Sequence, residues 1–271
     1  MTGERDYVLG THDDEVERLG LQHRVWRPRV LDAWRRAGFT LGQTILDVGA
    51  GPGHASLDLA QIVGPAGRVV ALERSRRFLD WLEEERRRRN ISNLEMLEID
   101  LALDAIPSYA ADGAWSRWFL AFVKDPPGIL GKVHRALRPG AAFVLHEYFD
   151  YRTWRMAPRV PEQEAFVEIA MEIWRASGGE PDVGMDLPRW LRETGFETVS
   201  IEPIVHVVPR TSFVWEWPKA FVEVGLRRFV DLKRITPERA GEIARAFARC
   251  ESEPGMLMVT PAVLEIVARR P

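Results

Sequence analysis

Residues 44–53, Thr-Ile-Leu-Asp-Val-Gly-Ala-Gly-Pro-Gly, are of the types that a nucleotide-binding turn requires. The first half is apolar and β-branched except for Asp47, which predicts a short buried strand that ends near a carboxylate. Glycine then recurs at every second position, and glycine is needed where φ is positive or where a ligand approaches bare backbone. A helix-compatible run follows, and an ordinary tight βα turn is the alternative interpretation. The candidate contacts in this turn are Asp47, Gly49, Ala50 and Gly51.

Acidic residues follow the next two predicted strands. The segment 67–72 reads as a second strand that ends in Glu73, and 94–99 reads as a third that ends in Asp100 and Leu101. A carboxylate at the tip of the second strand can accept hydrogen bonds from both ribose hydroxyls. At the end of the third strand, Asp100 adds a hydrogen-bond acceptor and Leu101 adds an apolar side chain. Arg74, directly after Glu73, is a further candidate contact.

The predicted fifth strand, 141–148, ends in polar residues at the sheet edge where chemistry is expected. His146 lies there and is a candidate general base, because histidine titrates near neutral pH. The alternative is a histidine whose hydrogen bonds serve only the structure. The second half of the chain is rich in tryptophan, which suits the walls of a pocket for a planar or apolar ligand. The candidate pocket residues are Tyr148, Trp154, Trp174 and Trp215.

Strand and helix patterns alternate over residues 44–148, which predicts a parallel sheet with right-handed crossovers. A ligand is then expected at the carboxyl ends of the strands. A predicted helix over Glu162–Arg175 and further strands near 197–208 and 256–267 extend the fold, the last interrupted by Pro261. Between these two strands, residues 213–250 are mostly helical in pattern.

These motifs resemble those of the class I S-adenosylmethionine (SAM)-dependent methyltransferases. The matching features are residues 45–53, Glu73, Asp100 and the Leu-Arg-Pro-Gly-Ala turn at 137–141. A weaker resemblance, to the subgroup that methylates small molecules, runs over the whole length. Its amino-terminal pattern is matched by Tyr7-x-x-Gly10, Glu15-x-x-Arg18-Leu19 and Gln22.

The resemblance implies a single α/β domain over 1–271 with a Rossmann-like, seven-stranded, mostly parallel sheet and helices on both faces. It implies a helical cap at 1–40, a SAM-binding core at 41–150 and a substrate-side half at 151–271. A helical lid, about 211–255, is expected between strands six and seven. SAM is the implied cofactor, with Tyr7 and Gln22 near its methionine end and Arg117 beside it.

The composition of the chain restricts the kinds of molecule that we expect it to bind. The formal net charge is −3, which argues against a dedicated nucleic-acid binder. Cys250 is the single cysteine, which excludes an internal disulfide and fits a reducing cytoplasm. The chain shows no signal-peptide pattern and no apolar run that could span a membrane. We therefore expect a cytoplasmic protein with a small-molecule substrate and no metal, and a homodimer is left open.

The function that these observations favour is methyl transfer from SAM to a small, aromatic or apolar metabolite, at oxygen or nitrogen. A protein or RNA methyltransferase is disfavoured, because the Asn-Pro-Pro-Tyr motif of amino-directed enzymes is absent after strand four. A nicotinamide oxidoreductase is disfavoured by the Gly-x-Gly-x-Gly spacing, which differs from Gly-x-Gly-x-x-Gly. A SAM-binding module without catalytic activity is the last alternative.

Overall fold

The computed structural model describes residues 13–271. The strands are β1 (Thr44–Val48), β2 (Arg68–Glu73), β3 (Leu94–Glu98), β4 (Ala111–Arg117), β5 (Leu137–Asp150), β6 (Arg155–Ala157), β7 (Glu197–Ile204), β8 (Val207–Pro209), β9 (Leu257–Val259) and β10 (Ala262–Arg269). The α-helices are α1 (Asp13–Ala37), α2 (His54–Val63), α3 (Arg76–Arg88), α4 (Pro126–Ala136), α5 (Pro161–Ala176), α6 (Leu187–Glu193), α7 (Glu216–Asp231) and α8 (Pro237–Ser252).

The main sheet has seven strands in the order β3-β2-β1-β4-β5-β10-β7. The first five are parallel to one another, and β10 runs antiparallel to both β5 and β7. This confirms the predicted Rossmann-like, mostly parallel sheet. Since the strand order reverses between β1 and β4, their carboxyl ends diverge and leave a crevice in which a ligand can bind.

Both faces of the sheet are covered by helices, which explains why the parallel strands are apolar throughout rather than alternating. Ile45 and Trp115 face one side, where they belong to the same apolar layer as Trp34 of α1. Leu46 and Phe143 face the other side, in a layer that includes residues of α4 and α6. The side chains alternate between the two layers because successive residues of a strand point to opposite faces.

Helix α1 continues unbroken through Pro28, from Asp13 to Ala37, and ends before Gly38, which has a φ of 85°. The buried residues of α1, among them Trp26 and Val30, lie on one face of the helix and pack on the sheet. Burial of this face offsets the backbone hydrogen bond that a proline inside a helix removes.

The carboxyl-terminal half contains more and shorter strands than predicted. The segment 197–208 forms β7 and most of β8, and Pro261 separates β9 from β10. The short strands β6, β9 and β8 pair in that order as a second, three-stranded sheet that the sequence did not predict. Helices α7 and α8 form the predicted helical insertion, and α7 packs against α1. Within residues 13–271, no helix combines the length and apolarity needed to cross a membrane.

Candidate functional site

A cleft of about 1430 Å³ opens at the carboxyl ends of β1, β2, β3 and β4. It brings together ten of the predicted cofactor residues, and the eleventh, Tyr7, lies outside the described residues. The ten that line the cleft are Gln22, Asp47, Gly49, Ala50, Gly51, Glu73, Arg74, Asp100, Leu101 and Arg117. These side chains come from α1 and from four strand ends, which places them at the predicted position in the fold.

The glycine turn after β1 has the backbone that only glycine adopts easily. Gly49 and Gly51 have φ values of 71° and 56°. A Cβ at Gly49 would come within 2.4 Å of the Phe119 ring, whereas a Cβ at Gly51 would meet nothing within 4 Å. Gly49 is therefore required by packing. At Gly51 the open space lies in the cleft, so a ligand can approach the main chain there.

Glu73 ties the glycine turn to the tip of β2. Its Oε2 accepts a hydrogen bond from the Gly51 N–H at 2.8 Å, and its Oε1 accepts from the N–H groups of Arg74 and Ser75 at 2.9 and 2.8 Å. Burial raises the pKa of the Glu73 carboxyl, and the three N–H donors oppose that shift. A carboxylate has about four acceptor sites. Three are occupied, so Glu73 can accept one ribose hydroxyl without losing a bond to the main chain.

Asp47 and Arg117 form the floor of the cleft. The Ser56 hydroxyl donates to Asp47 Oδ2 at 2.5 Å, and burial raises the pKa of Asp47 to about 6. Burial also lowers the pKa of Arg117 to about 10, so the guanidinium stays charged at neutral pH. Arg117 Nη2 donates to His23 Nδ1 at 3.2 Å, while Nη1 is buried and has no hydrogen-bond partner among residues 13–271. An unpaired guanidinium N–H fits the carboxylate end of an amino-acid cofactor.

A second, smaller cavity adjoins the cleft. We call it the aromatic cavity; its volume is about 30 Å³, and Gln22, Trp118 and Phe122 line both it and the cleft. Within residues 13–271, its lining is Arg18, Gln22, Trp118, Phe122, Tyr148, Tyr151, Trp154, Trp174, Trp217, Pro218, Phe221 and Pro261. A molecule bound beside Gln22, Trp118 and Phe122 would contact both the cleft and the aromatic cavity.

The turn after β4 sets the boundary between the two spaces. Trp118 has a φ of 49°, which is rare for a bulky residue and is typical of functional sites. Glu147 Oε1 accepts from the N–H groups of Phe119 and Leu120, at 2.9 and 2.7 Å, and so holds this turn against β5. Glu147 is fully buried, and burial raises its pKa to about 8. Neither residue was among the predicted site residues, because this turn depends on a contact between segments that are distant in sequence.

Three of the four predicted pocket residues line the aromatic cavity: Tyr148, Trp154 and Trp174. The fourth, Trp215, lines neither the cleft nor the aromatic cavity. It is fully buried and packs near Phe247, with ring centroids 6.4 Å apart. Trp217 lines the cavity instead. The cause is local: Trp215 lies in the turn that precedes α7, whereas Trp217 lies on the face of α7 that meets α1.

His146 is also placed away from both spaces. It is fully buried between Trp26 and Trp115, and its Nε2 donates to Glu265 Oε2 at 2.8 Å. Burial lowers the pKa of the imidazole. Arg29 pairs with the same carboxylate at 2.9 Å. A histidine in this position joins β5 to β10 and is not placed to receive a proton from a ligand in the cleft.

Comparison with known proteins agrees with this geometry. Residues 40–173 match the family model described as "Methyltransferase domain". These residues form a methyltransferase domain, and the chain has the fold of the class I SAM-dependent methyltransferases. SAM is the cofactor that such a domain binds, and the buried Nη1 of Arg117 and the open main chain at Gly51 are groups of the cleft that fit it.

Curated relatives of this chain include proteins named as quinone methyltransferases. It is 28% identical to a demethylmenaquinone methyltransferase of Lactococcus lactis, over 46% of this chain and 49% of the relative. It is 26% identical to a 2-phytyl-1,4-naphtoquinone methyltransferase of a Nostoc species, over 74% of this chain and 92% of the relative. An uncharacterized transposon protein of Streptomyces fradiae is 29% identical, over 61% of this chain and 47% of the relative. The chain thus spans about half the length of two of these relatives.

Solved structures show the same fold. The methyltransferase superposes on the cyclase SpnF with a TM-score of 0.58 at 21% identity, covering 90% of this chain and 80% of that one. A coclaurine N-methyltransferase bound to N-methylheliamine and S-adenosylhomocysteine (SAH) gives a TM-score of 0.56 at 18% identity, covering 87% and 70% of the two chains.

Proposed function

We propose that the protein transfers the methyl group of SAM to a small aromatic or apolar molecule that binds in the aromatic cavity. The observation that carries this proposal is the junction: Gln22, Trp118 and Phe122 line both the cofactor cleft and the aromatic cavity. A cofactor in the cleft and an acceptor in the cavity can therefore meet at these three side chains. The quinone-type substrates in the names of curated relatives support an aromatic acceptor.

The residues of this chain would act mainly by orientation and by exclusion of water. Bound SAM supplies an activated methyl group on a sulfonium. Gly51 and Glu73 would hold its nucleoside side, Asp100 and Leu101 the adenine, and Asp47 with Arg117 the amino-acid end. Gln22 and Trp118 would then separate the sulfonium from bulk water and align the acceptor with it.

The lining of the aromatic cavity bears on the acceptor. Among its described residues there is no histidine, aspartate or glutamate. Tyr148 lines the cavity, but burial raises the pKa of its hydroxyl, so it holds its proton at neutral pH. We therefore propose an acceptor that is nucleophilic without a protein base, as a neutral amine or an easily ionised phenol is. Methylation at oxygen or nitrogen is the form we favour.

Two measurements test this proposal. Isothermal titration calorimetry with SAH and with NAD should show binding of SAH alone. Transfer of a labelled methyl group from SAM should then be measured with hydroquinones, phenols and aryl amines, and in parallel with bulk tRNA and protein. Transfer to a small aromatic acceptor is the expected result. Binding of NAD alone, or transfer to tRNA or protein alone, would contradict the proposal.

A further inference from the structure

Two residues that line the aromatic cavity have a buried indole N–H group without an acceptor. Within residues 13–271, five tryptophans have a buried Nε1 without a hydrogen-bond partner: Trp26, Trp34, Trp118, Trp154 and Trp215. Trp118 and Trp154 are the members of this set that line the aromatic cavity. They are only 7% and 1% exposed, so bulk water does not reach them. A buried donor that stays unpaired is costly, and a ligand atom that accepts its hydrogen bond recovers that cost.

The remaining polar groups of the cavity are also donors or are already paired. Arg18 binds Glu15 through two hydrogen bonds, of 2.7 and 2.6 Å, and donates from Nη1 to Gln22 Oε1 at 3.1 Å. The guanidinium lies 5.7 Å from the ring centroid of Phe221. The described lining contains no carboxylate. A ligand oxygen with lone pairs therefore matches the wall better than an ammonium group, which needs acceptors.

The aromatic rings fix the shape of the ligand. The rings of Trp118 and Tyr148 are nearly parallel, at 10° with centroids 5.1 Å apart, and those of Trp118 and Trp217 are at 12° and 5.4 Å. These rings already contact one another, so a planar ligand ring can enter only by replacing one of these stacking contacts. The volume of about 30 Å³ has room for only one or two water molecules. A bicyclic ligand therefore requires at least one of these rings to move away from its neighbour.

We propose that the indole N–H groups of Trp118 and Trp154 form an oxygen-binding subsite, which selects a planar acceptor that carries a hydroxyl, phenolate or carbonyl oxygen over an aryl amine. This inference rests on the proposed function, because it assumes that the acceptor binds in the aromatic cavity. Trp118 lines the junction with the cleft and so binds the oxygen nearer the methyl group. Trp154 lies on the side away from the cofactor cleft, since it does not line that cleft.

The test measures binding of three probes to the full-length protein saturated with SAH. The probes are 1-naphthol, 1-methylnaphthalene, which has nearly the same shape but no oxygen, and the aryl amine 1-naphthylamine. We expect 1-naphthol to bind more tightly than both. Because 1-naphthol has one oxygen, at least one of Trp118→Phe and Trp154→Phe should reduce the preference for 1-naphthol over 1-methylnaphthalene by about three- to tenfold, the effect expected for the loss of one hydrogen bond. Trp34→Phe removes an unpaired N–H outside the cavity and should leave the preference unchanged.

Controls separate this inference from the proposed function. SAH affinity and the melting temperature of each variant check that the fold is retained. Replacing Trp118 by 3-benzothienylalanine removes the N–H and keeps the shape, so a packing effect is distinguished from a lost hydrogen bond. If SAH binds but the two phenylalanine variants keep the full preference, or if the amine binds best, the subsite is wrong while the proposed function stands. If SAH does not bind, the proposed function itself is wrong.

Discussion

The cofactor cleft and the aromatic cavity share three side chains but are built in different ways. The candidate cofactor contacts of the cleft lie at successive strand ends and in the turns that follow them, from Asp47 to Arg117. The aromatic cavity is formed by large rings from the turn after β4, the end of β5, α5 and the helical insertion, together with Arg18 and Gln22 of α1. The first site is a property of the sheet, whereas the second depends on how separate segments pack on one another.

This difference indicates that the strand ends supply affinity for the cofactor and that the packed rings supply specificity for the acceptor. A strand tip is held in place by the sheet, so residues such as Glu73 and Gly51 are already positioned before a cofactor binds. The aromatic cavity is nearly closed by contacts between its own rings. An acceptor must replace those contacts, and small changes in the rings should alter which acceptor is preferred.

The largest effect should come from a residue that belongs to neither site. His146→Ala removes a fully buried ring and its hydrogen bond to Glu265, so we expect a loss of about 2–4 kcal/mol in the free energy of unfolding. Turnover per folded molecule should be retained, as should SAH affinity. Urea denaturation and methyl transfer at saturating acceptor measure the two quantities. A stable variant with abolished turnover would restore His146 as a catalytic base.

Glu73→Ala should weaken SAH binding by about 1–3 kcal/mol, because a charge-assisted hydrogen bond to the ribose is lost. It also leaves the N–H groups of Gly51, Arg74 and Ser75 without their acceptor. Calorimetric titration with SAH measures the effect. Glu95→Ala, which removes a carboxylate of β3 outside the cleft, is the matched control and should bind SAH as the wild type does. Equal affinities in the two variants would remove Glu73 from the cofactor site.

The contrast between local strand-end motifs and rings that pack from distant segments also explains which parts of the two sites could be predicted from the sequence. The turn at 44–53 and Glu73 are local motifs, in which a few adjacent residues determine both the backbone and the chemistry. Ten of the eleven residues predicted to contact the cofactor line one cleft, and their roles in binding SAM stay predictions. Trp118 could not be predicted, because its positive φ depends on Glu147, which is distant in sequence and holds the next two N–H groups. Trp215 and Trp217 differ by two positions, and only the packing of α7 on α1 decides which one lines the cavity.

Glu147 gives a pH test of the turn between the sites. Its pKa is raised from 4.5 to about 8 by burial, so the folded state binds a proton that the unfolded state releases. The stability that this provides is complete below pH 4.5 and is lost as the pH rises to about 8. Between these values, stability should fall by about 1.4 kcal/mol per pH unit more in the wild type than in Glu147→Gln. Urea denaturation at pH 5.5 and 7 measures this slope. Identical slopes would contradict a protonated Glu147.

Two neighbouring tryptophans give the finest comparison between a cavity residue and a core residue. Trp217 lines the aromatic cavity and stacks near Trp118, whereas Trp215 is fully buried beside Phe247. Trp217→Phe shrinks one wall of the cavity, so we expect the KM of an aromatic acceptor to rise about threefold, as the loss of part of a stacking interaction would cause. Trp215→Phe should lower the melting temperature and leave that KM unchanged.

The affinity for SAH should be the same in both tryptophan variants, because neither residue lines the cofactor cleft. Steady-state kinetics at saturating SAM, with SAH calorimetry on the same preparations, therefore compares the two sites within a single helical segment. An equal change of KM in Trp215→Phe and Trp217→Phe would mean that the whole insertion responds to substitution. Acceptor preference would then be a property of how α7 docks on α1 and not of the rings that face the ligand.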